Sequence, residues 1–180
     1  MEKTTRAQIK IAIVGPESSG KTTLCKQLSE ILNCDWVPEF ARKHLGETAR
    51  YNQRDLDYML KQQLLSENMH THPILICDSE PISFMVWSQY KYGSTSKYIK
   101  KMMVDSNYDY YLLLQPDLPY EEDPLRENKS LKNRRELFDL FEGELKNLNL
   151  NYCIISGLHK TRLNLALESL QQQKITYLCK

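Results

Sequence analysis

An α/β domain, with a parallel sheet covered by helices on both faces, is the fold class this sequence predicts, and three observations predict it. Five short, mostly apolar runs alternate with longer stretches of helical periodicity. Runs of that kind suit strands buried on both faces. The first run leads through Gly15-Pro16-Glu17-Ser18-Ser19-Gly20-Lys21-Thr22-Thr23 into an amphipathic helix start. That is a G-x-x-x-x-G-K-[ST] loop in its strand–loop–helix context. A length of 180 residues predicts one domain with room for a proper core.

The elements run in order along the chain. Ile9–Val14 is the first strand, and Lys21–Leu32 a helix with Leu24, Leu28 and Ile31/Leu32 on one face. Cys34–Val37 reads as the second strand. Gln53–Asn68 reads as a helix, with Asn52 as N-cap and Leu56, Met59/Leu60 and Leu64 on its apolar side. Pro73–Cys77 is the third strand. The helix Pro81–Tyr90 comes next, with Pro81 near its first position and Gly93 as its stop. A helical segment around Lys97–Asp105, a strand at Tyr110–Leu114, a helix at Lys132–Leu148, a strand at Tyr152–Ser156 and a helix at Thr161–Gln172 complete the alternation. There are no repeats or low-complexity linkers. The charged stretch Pro119–Glu136 is the one shift in composition, and we read it as a mobile lid segment, about 117–136, within a single domain spanning 1–180.

Composition excludes several classes. Hydrophobic residues make up 41% and charged residues 26%, as in ordinary globular proteins. A net charge of +1 gives no bulk field to hold nucleic acid or an anionic membrane. No apolar run reaches membrane-spanning length, and the polar start Met1–Lys10 is no secretory signal. The five cysteines, Cys25, Cys34, Cys77, Cys153 and Cys179, form no C-x-x-C or Cys/His cluster and read as reduced thiols of a cytoplasmic protein. His44, His70, His72 and His159 lack metal-ligand spacing.

The loop after the first strand is a phosphate cradle. Gly15 and Gly20 permit backbone that a Cβ would block, so that N–H groups point inward onto a nucleotide's phosphates. The adjoining helix N-terminus adds positive potential. Lys21 can bridge β- and γ-phosphates, and Thr22 can offer its hydroxyl to Mg²⁺. A doubly wound sheet binds ligands at the carboxyl ends of its strands. Further chemistry is therefore expected in the loops that leave those ends. After the second strand, Pro38-Glu39-Phe40-Ala41-Arg42 offers a carboxylate and a guanidinium three apart. They suit recognition of an acceptor hydroxyl or phosphate, and equally a plain i,i+3 surface pair. After the third, Asp78 has the Walker-B position. It can hold a Mg²⁺-bound water or accept a hydroxyl proton, and it can also cap the next helix. After the fourth come Arg126, Arg134 and Arg135, which can close over a transferring phosphoryl group or can simply belong to a solvated charged surface. Ser156-Gly157-Leu158-His159 stands where P-loop kinases often pack the adenine. Trp87 and Tyr92 can stack on a base or pack in the core.

GTPase signatures are missing: no D-x-x-G comes after a second strand, and Asn128-Lys129 lacks the Asp two residues on. For an AAA+ motor the chain is short, with no separate helical lid domain expected. A small kinase remains. The chain resembles the ribosylnicotinamide kinase domain of NadR-type proteins, within the nucleoside and nucleotide kinase-like P-loop fold. The residues that carry the resemblance are Gly15 to Leu24, Pro38-Glu-Phe-Ala-Arg42, Asp55 with Gln63, Asp78 with Trp87, and Pro119-Tyr-Glu-Glu-Asp-Pro-Leu-Arg126. They run in order over nearly the whole chain. The resemblance implies a five-stranded sheet of order 2-3-1-4-5 and ATP- and Mg²⁺-dependent phosphorylation of the 5′-hydroxyl of nicotinamide riboside, giving nicotinamide mononucleotide. It implies nucleotide binding by residues 15–23 with Arg134 or Arg135, metal binding by Thr22 and Asp78, and catalysis by Lys21, Asp78, Glu39 and Arg126. Substrate contacts are implied for Glu39, Arg42, Asp55, Gln63, Asp78, Trp87, Tyr120 and Asp123. Tyr120 stands where the family is expected to have Trp. With 14 residues before Gly15, the chain is expected to be neither the multifunctional protein nor its repressor form. A kinase for another nucleoside, nucleotide or metabolite, and a non-catalytic ATP-binding sensor, are the competing expectations.

Overall fold

The computed structural model of the chain describes residues 8–46 and 50–175; Cys179 and most of the Met1–Lys10 segment lie outside them. The chain order is β1 (Ile9–Val14), α1 (Lys21–Leu32), β2 (Asp35–Val37), α2 (Phe40–Leu45), α3 (Gln53–Glu67), β3 (Ile74–Asp78), α4 (Pro81–Tyr92), α5 (Lys97–Asp105), β4 (Tyr110–Leu114), α6 (Leu131–Asn147), β5 (Tyr152–Ile155) and α7 (His159–Gln172). The strands form one parallel sheet in the order β2-β3-β1-β4-β5, as the sequence leads one to expect.

The pleat sorts the strand side chains between two cores. Ile11, Ile13, Ile74, Ile76, Leu112 and Leu114 pack with Leu24 and Leu28 of α1 and Ala166 and Leu170 of α7. Ala12, Val14, Leu75, Cys77, Tyr111 and Leu113 face α3 to α6, where Leu56, Phe84, Ile99 and Phe141 are fully buried. Burying both faces explains why the strands lack polar alternation. The register brings Ile13 beside Asp78, so the loop leaving β1 and the carboxylate ending β3 meet at one edge of the sheet.

Three boundaries depart from the sequence expectation. Helix α2 is absent from the sequence reading. It has six residues and no side-chain cap, and its first N–H, that of Phe40, donates to Gln63 Oε1 of α3 at 2.8 Å. A tertiary partner thus supplies what a local cap normally supplies. Asp78 closes β3 rather than coming after it. The coil after β4 ends at Ser130, whose side chain accepts from the Lys132 N–H and caps α6. Arg134 and Arg135 ride on its first turns, inside the helix expected at Lys132–Leu148, so the coil itself is shorter than the 117–136 segment.

Candidate active site

The loop between β1 and α1 is shaped for phosphate. Gly15 has φ 137°, and a Cβ there would stand 2.7 Å from the Leu114 carbonyl oxygen; Gly20 has φ 85°. No side chain caps α1, so its first N–H groups remain open to an anion. Lys21 Nζ donates to the carbonyls of Gly15 (2.9 Å) and Pro16 (3.0 Å), arching its ammonium over the loop that presents those N–H groups. A cleft of about 300 Å³ opens from this loop across the carboxyl ends of the strands.

Asp78 is fully buried and accepts from Thr22 Oγ1 at 2.5 Å through Oδ2. Its Oδ1 is buried and without a partner among the described residues. An orphaned carboxylate oxygen beside the P-loop hydroxyl fits a magnesium ion held through Thr22 and a water on Asp78. The capping alternative for Asp78 gives way to Glu80. That buried side chain accepts from the N–H groups of Ile82 (2.8 Å) and Ser83 (3.0 Å) and starts α4. Ser79 between them is forced to φ 83°, backbone that costs a non-glycine residue about 1–3 kcal/mol. Burial holds the carboxyl groups of Asp78 and Glu80 above their ordinary values, Glu80 to about 7. Glu39, at the start of α2, is raised to about 7 by burial and then by the like charge of Asp78, against the opposing pull of Lys21 and Arg42. Glu39, at the start of α2, and Asp78, at the end of β3, are one electrostatically linked pair on the same side of the phosphate loop.

That flank has an aromatic wall. Trp87 packs edge-on to Phe84 with ring centroids 5.5 Å apart and lines the cleft with Tyr51, Tyr90 and Met59. Tyr92 braces the wall, its hydroxyl donating to the Tyr51 carbonyl at 2.8 Å. Arg42 pairs with Glu39 at 3.1 Å and with Asp123 at 2.7 Å, so the i,i+3 pair exists and lies on the cleft wall. Lys91 pairs with Glu127 at 2.6 Å and stands 3.7 Å from the centre of the Tyr51 ring.

Other expected site residues sit elsewhere. Asp55 accepts from the Asn52 N–H at 2.8 Å and completes a capping box for α3. Gln63 is fully buried and braces the first turn of α2, next to Glu39. Tyr120 lies 5.7 Å from the Arg134 guanidinium. Arg134 itself is buried and donates to the Leu118 carbonyl at 3.2 Å, while Arg135 is exposed on a lateral groove. Arg126 alone of the three lid arginines meets the phosphate loop, donating to Ser18 Oγ at 2.9 Å. On the opposite flank, Arg162 of α7 donates to the Gly157 carbonyl at 2.7 Å, to the Gln115 carbonyl at 2.9 Å and to Asp117. The Gly157 N–H donates to Asp117 at 2.6 Å. This knot fastens the turn after β5 to the root of the lid, and His159 and Arg162 line the cleft there. The sequence reading missed Tyr51, Lys91, Asp117 and Arg162. Only Asp117, three residues past a strand end, sits where a sequence signal could be sought.

A sequence profile of the AAA_28 family, described as an AAA domain, matches residues 10–162. The chain belongs to that family. Within the described residues the domain is a single five-stranded sheet with its helices. The chain is 25% identical over 150 residues to the trifunctional NAD biosynthesis/regulator protein NadR of Escherichia coli (strain K12), covering 79% of this chain and 37% of that one. It thus spans well under half the length of the curated relatives it matches. A crystal structure of NadR protein in complex with NR superposes with a TM-score of 0.77 at 18% identity, over 92% of this chain and 49% of that one. A deoxyadenosine kinase from M. mycoides with bound dCTP superposes with a TM-score of 0.60 at 15% identity, over 91% of this chain and all of that one. The chain therefore shares its fold with these proteins. No helix among the described residues is long and apolar enough to cross a membrane.

Proposed function

We propose that the protein is a cytoplasmic, ATP- and Mg²⁺-dependent nucleoside kinase that phosphorylates the 5′-hydroxyl of nicotinamide riboside to nicotinamide mononucleotide. The observation that carries the nucleoside reading is the charge state of the β2–β3 flank. Among the described residues its two cleft-lining cations, Arg42 and Lys91, are already paired with Glu39, Asp123 and Glu127. An acceptor that brought its own phosphate would have to break those pairs. An acceptor that is neutral or positively charged meets carboxylates and the ring of Trp87 instead, and an aromatic face attracts a cationic ring. The similarity to NadR, whose structure holds NR, supports the choice of base.

When bound, ATP would supply the γ-phosphoryl group, and Thr22 with Asp78 would hold a Mg²⁺ ion that offsets the negative charge of the phosphates. Lys21 exchanges the Gly15 and Pro16 carbonyls for phosphate oxygens. The pair Glu39 and Asp78 aligns the acceptor hydroxyl and takes its proton as the new O–P bond forms and the bond to the leaving ADP oxygen breaks. Arg126, held over Ser18, balances the charge spread over the moving group, and the lid keeps water out.

The test is ADP release by the purified protein with Mg²⁺·ATP, with and without nicotinamide riboside. Strong stimulation with nicotinamide mononucleotide as product is expected. Stimulation by deoxyadenosine or another nucleoside in its place would reassign the acceptor. ATP binding without stimulation by any nucleoside would leave a nucleotide sensor.

A further inference from the structure

Glu17 is the odd residue of the phosphate loop. A carboxylate there opposes the charge of a triphosphate unless its own charge is used elsewhere. It is used by the lid: one oxygen accepts from the Glu127 N–H at 3.1 Å and the other from the Asn128 N–H at 2.7 Å. The next loop residue repeats the arrangement, Ser18 Oγ accepting from the Glu121 N–H at 3.3 Å and from Arg126 Nη1 at 2.9 Å. Two consecutive loop residues thus take four donors from both arms of the lid coil. Arg126 lies inside the clasped stretch and also donates to the Glu121 carbonyl at 2.6 Å. Glu127 is held from the far side as well, by Lys91.

We infer that Glu17 is a positioning residue, whose carboxylate seats the lid on the phosphate loop and so fixes where Arg126 stands during transfer. The role needs a group with two acceptor oxygens and no donor, because two adjacent backbone N–H groups converge on it. Gln has the same shape but turns an NH₂ toward one of those N–H groups. Asp keeps both oxygens and loses reach. A seated lid excludes water, so unseating it favours hydrolysis of the donor over transfer to the acceptor.

Two readouts test this, the second of which rests on the kinase reading and the first of which does not. In ligand-free protein, amide hydrogen exchange at Glu127 and Asn128 should quicken by about tenfold in Glu17→Gln. Glu17→Asp should fall between it and the wild type. Glu122→Gln, which removes an exposed ion pair with Lys129 on the lid surface, should match the wild type. In turnover, Glu17→Gln should lower kcat about tenfold with the acceptor KM little changed. It should also raise acceptor-independent ATP hydrolysis relative to transfer. A residue that only supports the fold would lower the melting temperature and leave that ratio alone. Unchanged exchange at 127–128 in Glu17→Gln overturns the inference whatever the substrate is. Unchanged transfer-to-hydrolysis ratio with quickened exchange overturns the link to Arg126. A wild type that ignores nicotinamide riboside discards the acceptor reading while the exchange result stands.

Discussion

At the scale of single residues, burial has displaced the ordinary ionisation of three carboxyl groups, Glu39, Asp78 and Glu80. Glu39 is raised to about 7 by burial and by Asp78, so a reaction that needs this pair to take a proton should respond to pH near neutrality. We expect kcat/KM for the acceptor to rise about tenfold per pH unit below 7 and to level above it. Glu39→Gln should remove that inflection. In Asp78→Asn, whose kcat should drop by orders of magnitude, Glu39 loses a like charge and the residual rate should titrate lower. An inflection that stays near 7 in Glu39→Gln would show that another group governs it. Lys21→Ala should abolish turnover in a protein that still melts cooperatively; full activity would remove the P-loop from the mechanism. Gly15, Gly20, Lys21 and Thr22 were legible in the sequence because phosphate chemistry fixes their types and spacing, whereas Glu39 and Asp78 could be named only as strand-end candidates. The pairings were not. Nothing in the order of residues says that Arg42 meets Asp123, 81 positions on, or that Asp117 is tied to Arg162.

At the scale of elements, local signals served well where an element closes on itself and failed where it leans on a neighbour. Asn52 announced α3, and Gly93, at φ 68°, stopped α4. Helix α2 could not announce itself, because its first N–H is satisfied by Gln63 from another helix. Asp55 gives the sharpest case, since the resemblance implies a substrate contact and the structure uses its carboxylate in a capping box. Asn52→Ala should cost about 1 kcal/mol and lower the melting temperature by about 2–4 °C. Asp55→Ala should lower the melting temperature with the acceptor KM unchanged. A KM raised several-fold at constant melting temperature would return Asp55 to the substrate.

At the scale of the whole molecule, the parallel sheet was readable from the P-loop and five apolar runs, its strand order came from the family resemblance, and both cores fill as the periodicities required. Folding also carries a pH signature. Glu39 and Glu80 keep their protons to about 7 in the folded chain, against 4.5 as the ordinary value. Between those limits the unfolded chain releases protons that the folded one retains, so the contribution of these two groups to stability is full below 4.5 and is lost as pH rises through 7. Each group contributes a slope approaching about 1.4 kcal/mol per pH unit. Denaturant midpoints of the ligand-free protein should therefore fall from pH 5 to 7.5, and Glu80→Gln should flatten the decline. An identical slope in Glu80→Gln would assign it to other groups. The middle position of β1 also bears on descent. On the proposed kinase reading, the walls that select the acceptor are built by two stretches, from β2 into α3 and from β3 through α4. On the same reading, the turns that would grip the donor leave β1, β4 and β5. A lineage could rewrite either stretch around Glu39 and Asp78 and inherit its fuel supply intact, acquiring a new diet without a new engine.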